Sequence, residues 1–161
     1  MTDWSNFFLG ELGAAAALAG LLFVAVSVNQ ARILELGRMA DRGAEALVML
    51  FQVLVVASLP LIPGQPMRLF GAEVFLIGAG TLVALVPLQR GYVRATDAAY
   101  RSHTTQMVWA NRAVLAAIGV GGLVVLSRGD AVGLYLLAAG ILLTFIAVGA
   151  SAWVLLIEIN R

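Results

Sequence analysis

Five long apolar runs, separated by short polar breaks, account for most of this chain. The first, from Phe8 to Val28, contains one ionisable residue, Glu11, and ends in polar Asn29 and Gln30. A helix that crosses a bilayer needs about 20 largely apolar residues. The runs meet that length and predict helices over about 7–28, 44–62, 70–89, 105–126 and 131–159. Helix is the natural conformation for such runs, because lipid offers the backbone no hydrogen-bond partners. The fold class expected is therefore all-α, an integral membrane bundle of five transmembrane helices forming one domain over residues 1–161. The last run, at about 1.5 Å per residue, would be longer than a bilayer core is thick.

The breaks set the connections. Between the first two runs, Ile33, Leu34, Leu36 and Met39 alternate with Arg32, Glu35, Arg38 and Asp41. That pattern predicts a continuation of the first helix, then a break near Gly43, with Asp41 as N-cap of the second helix. Pro60, Pro63, Gly64 and Pro66 predict a helix stop and a tight turn. Asp97 is placed to cap an N-terminal extension of the fourth helix. Ser127-Arg-Gly-Asp130 is a short turn, so the last two helices should form an antiparallel hairpin.

Composition sharpens the class. The chain is 61% hydrophobic and 12% charged, with a mean hydropathy of +0.97. Soluble domains carry about 25% charged residues. A net charge of +1 gives no case for a nucleic-acid partner. There is no cysteine, which excludes disulfides and thiolate metal sites. All ten basic residues are arginine, so a lysine Schiff base is excluded as well. The abundance of Ala, Gly, Val, Leu and Arg suits a bacterium with a GC-rich genome. The opening Met1-Thr-Asp-Trp-Ser-Asn6 carries an acid and no base, unlike a secretory signal, so the first helix is expected to be retained.

Arginine position predicts orientation. With five crossings, Arg32, Arg38, Arg42, Arg90, Arg94, Arg101 and Arg161 fall on one side, and Arg68 and Arg128 on the other. The seven-to-two bias places the first set in the cytoplasm, the N-terminus outside and the C-terminus inside. Trp4 and Tyr135 would then mark the outer interface, and Tyr92, Tyr100 and Trp109 the inner one.

Small residues recur at helical spacing: Gly13 with Ala17, Ala16 with Gly20, then Gly78 to Gly80, Gly119 to Gly122, and Ala138 to Gly140. Such faces let helix backbones approach each other in lipid, within one chain or between chains. The few polar residues in the runs are the candidate sites. Glu11 and Glu73 both lie near the outer surface and read as interfacial carboxylates; converging in an oligomer, they would form an acidic vestibule. Gln52 is deep and needs amide partners, which makes it interhelical glue or the lining of a polar path, joined in the latter case by Asn29. Arg112 either snorkels to the inner interface or makes a buried ion pair or an anion contact there. Glu158 should approach Arg101. His103 is the only histidine and has no ligand cluster around it. No nucleophile–base pair, phosphate loop or dinucleotide fingerprint appears, and no cofactor or catalytic residue is expected.

The stretch Gly13-Ala-Ala-Ala-Ala-Leu-Ala-Gly-Leu-Leu-Phe-Val-Ala-Val-Ser-Val-Asn29, followed by Arg32-Ile-Leu, resembles small five-helix bacterial inner-membrane proteins of unknown function. Some of those carry the label of modulators of a membrane-anchored ATP-dependent protease. The resemblance covers the first third of the chain and implies a multi-pass inner-membrane protein. The run Gly20-Leu-Leu-Phe-Val-Ala-Val is also similar to the pore helix of the Orai calcium channels. Here, however, Val28 stands where that family places its selectivity carboxylate, and the arginine count runs the helix in the opposite direction. Two expectations follow. The first is a non-enzymatic membrane protein that forms a homo-oligomer or docks onto another membrane protein. The second is an oligomeric ion channel with Glu11, Asn29 and Gln52 facing its pore.

Overall fold

The computed structural model describes residues 4–30, 33 and 39–156. They form five long helices, and no strand occurs among the described residues. The helices are α1 (Ser5–Val28), α2 (Met39–Ser58), α3 (Met67–Ala95), α4 (Ala98–Arg128) and α5 (Val132–Leu156). The 3-10 turn Leu59–Leu61 closes α2. All five are long and apolar enough to cross a membrane. Exposed Phe23, Leu76, Val83 and Ile146 spread over the outer surface of the bundle. The bundle is thus apolar outside as well as inside, which suits a multi-pass membrane protein.

Several ends differ from the sequence expectation. The second helix does not break at Gly43. It begins at Met39, so Gly43 lies within it and is buried, and Asp41 sits in the first turn instead of capping it. A glycine inside a helix is tolerated where a neighbour packs against it. α3 runs through Pro87 to Ala95, and α4 starts at Ala98, with Asp97 at the N-cap position but no side-chain cap bond. Gly129 ends α4 in the left-handed region at φ 67°, and its N–H reaches the Val125 carbonyl at 2.8 Å. That closure suits glycine, which bears no Cβ to strain it. The Asp130 carboxylate then accepts from the Val132 N–H at 3.1 Å, which starts α5.

α4 packs against α3 on one side and α5 on the other. Glycines make both contacts. A Cβ added at Gly78 would lie 2.8 Å from the Gly119 Cα, and one at Gly122 would lie 2.6 Å from the Phe75 nitrogen. On the other side, a Cβ at Gly133 would meet the Val125 nitrogen at 2.7 Å, and one at Gly140 would meet the Ile118 nitrogen at 3.3 Å. Gly71 and Gly78 are seven residues apart, as are Gly133 and Gly140. Seven residues is two helical turns, so each pair lines one nearly straight seam.

α2 joins this layer through α3 and α5, while α1 packs chiefly on α2 and less on α5. One helix end gathers Trp4, Tyr135 and the 60–65 turn; Trp4 and Tyr135 meet edge to face at 4.9 Å. The other end carries Arg42, Arg90, Arg94 and Arg101. It is called the arginine-rich end below.

Candidate functional site: a carboxylate cage and an uncovered helix

The main polar cluster is built on a residue that the sequence reading passes over. Glu45 lies about two turns into α2, and only 3% of it is exposed. Its two oxygens accept three hydrogen bonds from two other helices. Gln89 Nε2 of α3 donates to Oε1 at 2.7 Å, and Asn111 Nδ2 of α4 donates to the same oxygen at 3.0 Å. The Tyr92 hydroxyl of α3 donates to Oε2 at 2.6 Å. A carboxylate offers about four lone-pair positions, so three donors are accommodated together. All three donors are buried as well.

Arg112 completes the cluster from outside. Its Nε donates to Gln89 Oε1 at 2.7 Å, which fixes the orientation of that amide: nitrogen to Glu45, oxygen to Arg112. Its guanidinium also lies 5.1 Å from the ring centre of exposed Trp109. The Glu45 and Arg112 charges are thus joined through a neutral amide, with no direct ion pair between them. Arg42, one turn before Glu45, donates to the Met107 sulfur at 3.4 Å. The arrangement can do one thing well: it ties α2, α3 and α4 together at the arginine-rich end. Polar groups shielded from water are held this way in membrane bundles.

The other candidate residues are dispersed. Glu11 is half-buried in α1, and Glu73 accepts from Gln65 Nε2 beside the 60–65 turn. Asn29, at the end of α1, turns its amide back onto the Ala25 carbonyl at 3.1 Å. Gln52 lies inside the bundle, 4% exposed. Tyr92, expected at the interface, is buried in the cage. Glu158, expected beside Arg101, is outside the described residues, and Arg101 donates to the Thr96 carbonyl at 3.2 Å. Among the described residues no group of three or more His, Asp or Glu is placed to hold a metal. A shallow depression of about 460 Å³ opens between Ser5 and the 60–65 turn.

The second feature is the uncovered face of α1. Gly10, Gly13, Ala17, Gly20 and Val24 are all exposed, at alternating spacings of three and four. A Cβ added at Gly10, Gly13 or Gly20 would meet nothing within 4 Å. The glycine pairs Gly13/Gly20, Gly71/Gly78 and Gly133/Gly140 share the seven-residue spacing, but only the last two are packed against a helix.

No family model matches this chain, and neither a curated protein nor a solved structure matches it significantly.

Proposed function

We propose that the protein is a non-enzymatic, multi-pass component of a bacterial inner membrane that works by associating with a second membrane chain through α1, foremost another copy of itself. The observation that carries this reading is the outward seam of Gly10, Gly13, Ala17, Gly20 and Val24 with nothing against it. Between lipid-facing helices, close backbone approach supplies the attraction that the hydrophobic effect supplies in water. Elsewhere in this chain the same seven-residue glycine spacing brings α3 and α5 onto α4. The arginine bias would insert every copy the same way, N-terminus out. Two copies meeting at α1 would then lie parallel, with the same residues opposite each other about a two-fold axis.

A channel on that axis has less support. Gln52 belongs to the core of its own protomer, and the outward face of α1 offers Gly, Ala and Val to any axis it lines. The cysteine-free chain makes the test direct. Single cysteines at Gly13 or Ala17, oxidised in native membranes, should cross-link to a dimer, whereas one at Val83 on α3 should not. Gly13→Leu with Gly20→Leu should reduce the mass in mild detergent to that of a monomer plus its detergent. A wild-type chain that is monomeric in mild detergent, together with no cross-link from the cysteines at positions 13 and 17, would reject the proposal.

A further inference from the structure

The core of the bundle falls into two apolar clusters, both touched by Phe145. Towards the Trp4 end, one apolar cluster includes Val56, Val74, Ile118 and Ile141; towards the arginine-rich end, another includes Met49, Leu85, Leu115 and Val148. Two polar side chains fall between the clusters along their helices: Gln52 of α2 and Thr144 of α5. Thr144 is fully buried and donates to the Gly140 carbonyl at 2.8 Å, leaving its oxygen able to accept. Gln52 is 96% removed from the surface, and neither its Nε2 nor its Oε1 has a protein partner. A side-chain amide brings two donors and a two-lone-pair acceptor, and burying all of these unpaired is costly.

Glu45 does not relieve that cost. It lies seven residues away on the same side of α2, about 10.5 Å along the axis, and its oxygens are engaged by Gln89, Tyr92 and Asn111. We propose that Gln52 anchors a binding site inside the bundle for a small uncharged guest that both donates and accepts hydrogen bonds, with water as the occupant. The guest is small because close-packed apolar clusters bound the site on both sides along the bundle. It is uncharged because the nearest ionisable group on this side of α2, Glu45, is fully engaged elsewhere. A water accepting from Nε2 and donating to Oε1 has two polar partners, the lower end of the usual two to four.

The test uses full-length protein in detergent, labelled with nitrogen-15 at glutamine side chains. The Gln52 amide resonances are identified by their loss in Gln52→Met, or in Gln52→Asn should the methionine variant not fold. The expected result is a magnetisation-transfer cross-peak between the Gln52 amide protons and a long-lived water. Removing the anchor should also leave the folded population of Gln52→Met no greater than that of wild type. An amide with no water contact would overturn the proposal. So would a Gln52→Met unfolding equilibrium shifted at least about fivefold towards the folded state, which is what removing an unpaired buried amide produces.

Discussion

Replacing Glu45 by leucine should loosen the bundle at its arginine-rich end. The substitution puts an apolar side chain of similar size in α2 and removes the acceptor of three buried donors: Gln89 Nε2, Tyr92 OH and Asn111 Nδ2. In water-soluble proteins, stranding a buried donor costs about 1–3 kcal/mol. Between membrane helices the measured worth of a hydrogen bond averages about 0.6 kcal/mol, because the unfolded helices also find partners. Three bonds then set a floor of about 2 kcal/mol, and the desolvation of three orphaned donors raises the expectation to about 2–5 kcal/mol. At 1.4 kcal/mol per decade, that is at least about a 25-fold shift in the unfolding equilibrium. Reversible unfolding in mixed micelles of mild and denaturing detergent, followed by tryptophan fluorescence, reads it directly. A double-mutant cycle with Tyr92→Phe isolates the cage. Tyr92→Phe should cost about 0.5–1.5 kcal/mol with Glu45 present and nothing without it. The reasoning fails if Glu45→Leu stays within about 0.5 kcal/mol of wild type, or if Tyr92→Phe costs the same in both backgrounds.

The glycines should divide into two kinds under the same assay. Gly122→Val should destabilise the protomer by about 1–3 kcal/mol, because its side chain has to displace the α3 backbone at Phe75. Gly13→Ala should leave the protomer unchanged or stabilise it by up to about 1 kcal/mol, as an exposed helical glycine does, while weakening association. Arg112→Met should cost less than Glu45→Leu, since it strands only the Gln89 oxygen. In the turn between α4 and α5, the Arg128 side chain holds the Asp130 carboxyl below its ordinary value of 3.8, with the Val132 N–H helping. A depressed folded value means that this contribution is present above the unfolded pKa and lost as pH falls through the folded one. Arg128→Ala should therefore move the titration of Asp130 upward, as read from its carboxyl carbon resonance.

The five helices were legible because each run satisfies a length and apolarity rule on its own. Their arrangement was not, because it depends on contacts between distant parts of the chain. Glu45 is an ordinary residue for the start of a helix. It becomes a centre only because Gln89, 44 positions later, and Asn111, 66 positions later, arrive at the same level. Asn111 and Gln89 were each visible as polar residues near the ends of apolar runs; comparing their depth with that of Glu45 was the available signal. Tyr92 looked interfacial by position along α3, but its hydroxyl is needed inside. The small residues were legible as packing residues, yet spacing alone did not separate Gly78, pressed on Gly119, from Gly13, pressed on nothing. Helix α1 is apolar all round, so hydrophobicity did not show which side it buries. The start of α2 was misplaced because Gly43 and the charges around it resemble a helix break. Here the glycine is buried within the helix, and neighbouring Arg42 is used against Met107.

The position of the helix ends relative to the bilayer sets the orientation of the whole bundle. Because the native chain has no cysteine, single cysteines at Gln65, Ser127 and Asp97 can be tested in intact cells with a membrane-impermeant thiol reagent. The arginine bias and the five helices together predict labelling from outside at Gln65 and Ser127, and labelling at Asp97 only after the cells are opened. Labelling of Asp97 from outside with Gln65 and Ser127 protected would invert the bundle, and labelling of all three from one side would mean that α3 and α4 do not cross.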